Sequence, residues 1–216
     1  ITPPAVKDPA LAGRLDAPDG SWFGFALRAR VLGVRAGRFE ETEMPRRLAD
    51  LTDERFKGRV GMARPRFGTT RGHMAAIVAT HGEGALRGWL GAMLDNGLRV
   101  YDGNSTVVRA IGDAEIDVGL TDTDDVWAAR RNAWPVRAIF EADDAAPDTG
   151  GSPGTLPSRG PMLIPNTVAR VRGGPNPARA SALIEFLLAG PAEGILEASD
   201  SHNLPVRHAP AAGTAE

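Results

Sequence analysis

Three short stretches carry side chains whose types and spacing could do chemistry. Each stands where an apolar run gives way to a helical pattern. Asp122–Thr123–Asp124–Asp125–Val126 follows the run Ile116–Leu120 and gathers three carboxylates in one turn of chain. Carboxylates hold hard cations or attack phosphorus, and they also settle at helix N-termini, where the dipole favours them. Three at one point exceed what capping requires. Gly68–Thr69–Thr70–Arg71–Gly72 offers hydroxyls, a guanidinium and backbone N–H groups at another helix start, a combination that cradles anions. Gly103–Asn104–Ser105–Thr106 repeats the arrangement at the next strand-to-helix turn. One such turn says little. Three at successive strand ends imply one ligand-facing edge, because open α/β sheets bind ligands beyond the carboxyl ends of their strands.

Other patterns have plainer readings. Gly150–Gly151–Ser152–Pro153–Gly154 fits the G-x-S-x-G spacing of hydrolase nucleophiles, but that motif works only on a sharp strand-to-helix turn. Here Asp, Thr and Pro flank it, and it reads as a linker. A strand ending in D-x-D-x-V is similar to the first motif of haloacid-dehalogenase-type phosphatases, with Asp122 as nucleophile. That chemistry needs a downstream Lys and a second acidic pair for magnesium. The chain's lysines, Lys7 and Lys57, both lie upstream, and Asp143–Asp144 falls in a loop pattern. The four histidines are scattered without metal-ligand spacing, and His73, just inside a helix, reads as structural.

Composition narrows the function classes. The 216 residues carry 25 Lys+Arg against 27 Asp+Glu, a net charge of −2 that argues against a nucleic-acid binder. Cysteine is absent, which removes disulfides, thiolate metal sites and a cysteine nucleophile. No apolar run reaches the roughly 18 residues of a membrane helix. The sequence starts at Ile1 rather than Met, so it reads as processed or trimmed.

The elements that must position these residues alternate along the chain. Residues 1–20 read as a surface arm. Phe25–Val34 reads as a strand, Glu43–Phe56 as a short helix and Arg59–Ala63 as a strand. Met74, Ile77 and Val78, then Leu86, Trp89, Leu90, Met93 and Leu94, make two helical stripes separated at Gly82–Gly84 and closed by Asn96–Gly97. Leu98–Tyr101 is a strand, with Asn104 or Ser105 capping the helix that follows. Ile116–Leu120 is a strand before a helix over 121–131, and Val136–Phe140 is another strand. Residues 143–159 read as an exposed loop. Met162–Val171 holds two strand-like pieces around Pro165–Asn166. Asn176 and Pro177 open a helix that Gly190–Pro191 stops, and a last helix spans Ala192–Ala198 before an Ala/Gly tail. Strand–helix alternation over 59–131 makes the fold class α/β.

In this order, several segments resemble one family. They are WFGFALRARV (22–31), LTDERFKGRVG (51–61), the 68–72 turn, GNSTVVRAI (103–111), VGLTDTDDV (118–126), PNTVA (165–169) and ALIEFLL (182–188). Together they resemble the extracellular solute-binding proteins of ABC importers, in the branch that includes ferric-iron-binding proteins. The resemblance covers about residues 20–208. It implies a type II periplasmic-binding-protein-like fold of two α/β lobes joined by hinge strands that close on ligand. One lobe is complete and the other partial: 1–34 is a lobe-one remnant with a hinge strand, 35–126 is lobe two, and 127–216 is the return hinge with the C-terminal part of lobe one. The family's first third has no counterpart.

Ferric-binding members place two adjacent tyrosines after the strand corresponding to 116–120, where this chain has Asp124 and Asp125; its one tyrosine is Tyr101. Carboxylates also suit a hard cation, so Asp124 and Asp125 become the candidate metal ligands. The resemblance puts anion binding at Thr69, Thr70, Arg71 and Asn104, with Asp122 where the family has Asn. Arg28 and Ser105 complete the candidate ligand-binding set. The expected function is a non-enzymatic, periplasmic solute-binding component that delivers a small polar ligand, such as ferric iron or another metal with its anion, to an ABC permease. It needs no cofactor, binds no nucleic acid and is monomeric in full-length form. A binder of a phosphorylated or carboxylated organic anion is the alternative, and an aspartate-nucleophile phosphatase the distant one.

Overall fold

The nearly continuous apolar run over 29–34, with Arg30 its one charged residue, suits a strand covered on both faces, and it lies within β1 (Phe23–Arg35), where all six of these residues are buried. The computed structural model describes residues 1, 3, 5–7, 11–143, 156 and 158–207. The Gly150–Gly154 pattern and the end of the Ala/Gly tail lie outside them. After β1, the helix expected over 43–56 is replaced by two short 3₁₀ turns, Ala49–Thr52 and Glu54–Phe56. Aspartates explain the difference. Asp50 accepts hydrogen bonds from the backbone N–H groups of Arg46 and Arg47, and Asp53 from that of Arg55. Such local bonds compete with the helical ladder.

The remaining elements are β2 (Val60–Ala63), α1 (Gly68–Asp95), β3 (Arg99–Tyr101), α2 (Asn104–Gly112), β4 (Val118–Asp122), α3 (Thr123–Arg131), β5 (Val136–Ile139), β6 (Leu163–Val168), α4 (Pro177–Leu188) and α5 (Gly190–Ala198). The two helical stripes of 70–94 lie in α1, whose course breaks at Gly82 (φ 83°, ψ 163°), a conformation that favours glycine. The two pieces expected around Pro165–Asn166 are one strand, β6. Proline is tolerated there because, among the described residues, β6 pairs with β1 alone, as an edge strand does. Among the described residues, no helix is long and apolar enough to cross a membrane.

The chain divides into two compact units, Ile1–Arg28 with Leu163–Glu216, and Ala29–Met162. The second unit is wider than the expected 35–126, because Arg30–Arg35 of β1 and the whole of β5 are bonded into its sheet. Its strand order is β3-β2-β4-β1-β5. β2 runs parallel to β3 and β4, while β1 runs antiparallel to β4 and β5. Every residue of β2 and β4 is buried, as expected for central strands covered on both faces. One face packs Leu32, Val34, Val118 and Leu120 against Trp89 and Met93 of α1, with the Trp89 indole N–H donating to Leu48 O at 2.9 Å. The other packs Val31 against Val107 and Ile111 of α2 and Val126 of α3. Close approach requires glycine at 119, where a Cβ would sit 2.3 Å from Val107 Cγ1.

Parallel alignment sets the carboxyl ends of β2, β3 and β4 along one edge, each leading into the start of a helix. The antiparallel β1 brings Ala29 and Arg30 to that same edge, where Arg30 stands opposite Asp122 in register.

The first unit contains α4, α5, β6 and the start of β1. Phe23 packs with Ile184 and Leu188 of α4. The buried Glu193 of α5 accepts from the backbone N–H groups of Ala26, Val206 and Arg207. The Arg207 guanidinium donates to Gly24 O and pairs with Asp16. Asn176 sits at the start of α4 but makes no capping bond through its side chain.

Candidate functional site

The site is organised by a charge inside the sheet. On β1, Arg30, Leu32 and Val34 share one face, and their register partners on β4 are Asp122, Leu120 and Val118. An apolar ladder therefore ends in an Arg–Asp rung whose side chains are each 3% exposed. Arg30 Nη1 donates to Asp122 Oδ1 at 2.8 Å and to Asn104 Oδ1 at 3.2 Å. Its Nη2 donates to Thr70 Oγ1 at 3.1 Å and to Leu120 O at 3.3 Å. Asn104 Nδ2 in turn donates to Asp122 Oδ2 and to Thr69 Oγ1, both at 3.0 Å.

Four of the residues singled out in sequence (Thr69, Thr70, Asn104 and Asp122) thus meet around one guanidinium. Asn104 is the first helical residue of α2 rather than its cap, a place taken by Gly103. Asp122 does occupy the cap position of α3, yet its side chain makes no capping bond. It serves Arg30 and Asn104 instead. Arg71 and Ser105 are exposed on the first turns of α1 and α2 and stand outside this hydrogen-bonded cluster. Arg28 belongs to the first unit, where its Nη1 donates to Asn166 Oδ1 at 2.5 Å. The residue at the centre, Arg30, shares its parity with Leu32 and Val34 but also with Arg28, so the sequence pattern did not single it out; its pairing with Asp122 does.

Asp124 and Asp125 occupy the first turn of α3, and one carboxylate oxygen from each of Asp122, Asp124 and Asp125 lies within 4.8 Å of the others. Burial pushes the Asp125 carboxyl up to about 6, and the charges of Asp124 and Asp122 add to the rise. Arg30 and a hydrogen bond from Asn104 oppose it. Oxygen donors so close together, with one guanidinium among them, carry excess negative charge that a hard cation would relieve.

The sequence profile described as bacterial extracellular solute-binding protein matches residues 2–216. The chain belongs to that family. Among its relatives is "Iron uptake protein A1" of Synechocystis sp., 28% identical over 198 residues, which covers 89% of this chain and 52% of the relative. The "Fe(3+)-binding periplasmic protein" of Serratia marcescens is 33% identical over 101 residues, 47% of this chain and 29% of that one. The iron-bound HitA of Pseudomonas aeruginosa superposes with a TM-score of 0.72 at 23% identity, over 95% of this chain and 64% of that one. The ferric binding protein of Campylobacter jejuni gives 0.74 at 18% identity, over 95% and 65%. These likenesses establish the α/β fold of type II periplasmic binding proteins. The chain spans about half the length of the first of these curated relatives.

In this solute-binding protein His73 sits behind Arg30, on the first half of α1. Burial and the Arg30 charge push its imidazole down to about 3, so it stays neutral in the folded state. Its ordinary value is 6.5, so the unfolded chain takes up a proton that the folded chain refuses. Stability from this residue is complete above pH 6.5 and drains away toward pH 3, at up to about 1.4 kcal/mol per pH unit. Asp125, raised to about 6, works in the opposite sense over part of that range. Comparison of wild type with His73→Leu by urea unfolding between pH 7 and 5 isolates the histidine. The wild type is expected to lose more stability than the variant, and parallel curves would contradict a buried neutral His73.

Proposed function

We propose that this chain is the ligand-binding portion of a periplasmic solute-binding component of an ABC importer, and that its ligand contains a hard cation, ferric iron first among them. The observation that carries this reading is the convergence of Asp122, Asp124 and Asp125 oxygens within 4.8 Å at the end of β4. The names of the relatives, an iron uptake protein and a ferric-ion binder, support iron as the cargo. Asp124 and Asp125 are the proposed ligands, and Asp122, already bonded to Arg30 and Asn104, orients the cluster. Arg71 and Ser105, exposed on the first turns of α1 and α2, are the proposed partners of an anion accompanying the metal. Capture and delivery to a membrane permease need no covalent chemistry and no cofactor.

Two observations weigh against the rival readings. For an organic anion, the hydroxyls of Thr69 and Thr70 and the Asn104 amide would have to face outward, whereas they bond an internal Arg–Asp pair. A phosphatase needs an accessible nucleophile, whereas Asp122 is buried and ion-paired. Native mass spectrometry of the protein as purified tests the proposal: a retained mass matching one metal ion, alone or with a small anion, is expected. A retained organic phosphate or carboxylate without metal would overturn it.

A further inference from the structure

Beside the site's guanidinium lies a small chamber walled by Leu32, Leu48 and Leu120 and by three polar residues, Arg30, His73 and Glu141. Two buried polar atoms of these residues, Arg30 Nε and His73 Nδ1, have no hydrogen-bond partner among the described residues. Arg30 is 3% exposed and His73 5%, so bulk solvent does not serve them. Folded interiors rarely leave such atoms unmet.

We propose that this chamber is a binding site for one ordered water molecule, which accepts from Arg30 Nε–H and donates to His73 Nδ1. The charges of the lining select against other occupants. A cation would face the Arg30 guanidinium. An anion would face Glu141 and a neutral imidazole whose Nδ1, in the Nε2–H tautomer that the proposed water requires, presents a lone pair. A neutral molecule that both accepts and donates meets the two unpartnered atoms, and its second hydrogen is available to the Glu141 side of the chamber. The consequence reaches the site. Nη1 and Nη2 of Arg30 are spent on Thr69, Thr70, Asn104, Asp122 and Leu120 O. The water engages the remaining nitrogen and so fixes the plane of the fork that positions those residues. This inference stands whether or not the aspartates bind a cation.

A near-atomic-resolution crystal structure of this chain, paired with ¹⁵N NMR in solution, tests it. One ordered water is expected at about 2.7–3.2 Å from both Arg30 Nε and His73 Nδ1. NMR should show the Nε2–H tautomer of His73 and a slowly exchanging Arg30 Nε–H with cross-relaxation to bound water. In His73→Leu the water should be lost and exchange of the Arg30 Nε–H should quicken by about tenfold or more. His73→Gln, whose side-chain oxygen can accept the same bond, should keep the water and covers the case in which the leucine variant fails to fold. A dry chamber, a bound ion, a direct Arg30–His73 bond, or an unchanged water in His73→Leu would each overturn the proposal.

Discussion

Replacing Arg30 with methionine is expected to destabilise the chain by about 3–5 kcal/mol, the cost of removing one partner from a buried ion pair. Arg30 and Asp122 side chains are each 3% exposed and 2.8 Å apart, so the remaining carboxylate would be left buried without its counter-charge. Asn104 would still donate to Asp122 Oδ2, but Thr70 Oγ1 and Leu120 O would lose a donor. The penalty should shrink at low pH, because an unpaired buried carboxylate escapes much of it by taking a proton. Adding Asp122→Leu should recover most of the loss, since it extends the apolar ladder of Leu32–Leu120 and Val34–Val118 by one rung. Urea unfolding of the single and double variants reads both effects. A single-variant loss below about 1 kcal/mol, typical of an exposed pair, would contradict the pairing.

How far the sequence carried this description depends on which signals are local. Strand-to-helix turns at 68–72, 103–106 and 121–125 were readable from composition alone, and they lie at the starts of α1, α2 and α3. Their assembly at one edge was readable because parallel strands align their carboxyl ends. Less legible was the direction of each polar side chain. Thr69, Thr70 and Asn104 look outward-facing on paper, since hydroxyls and amides at helix starts suit an anion. Their orientation toward Arg30 depends on register between β1 and β4, strands separated by more than eighty residues, which no local pattern encodes. Arg28 and Arg30 are two residues apart on one strand and equally basic, and only the pairing with Asp122 distinguishes them. The short helix expected over 43–56 does not form, for a different reason. Leu48, Leu51 and Phe56 are buried, but Asp50 and Asp53 capture the local N–H groups.

The acidic turn carries the second large effect. Converting both Asp124 and Asp125 to asparagine removes two charged oxygen donors while keeping side-chain volume. Their stabilising interaction with the start of α3 is worth about 0.3–1 kcal/mol per charge, and the relief of their mutual repulsion offsets much of it. The double variant should therefore fold with nearly unchanged thermal stability. Isothermal titration calorimetry of this chain and of Asp124→Asn/Asp125→Asn, with ferric iron supplied as its citrate complex, separates a cation site from a pair of helix caps. Wild type is expected to bind one ferric ion, and the variant to bind it at least about a hundredfold more weakly, a difference on the order of 3 kcal/mol. Equal affinity in the two proteins, or no binding by wild type, would contradict the account.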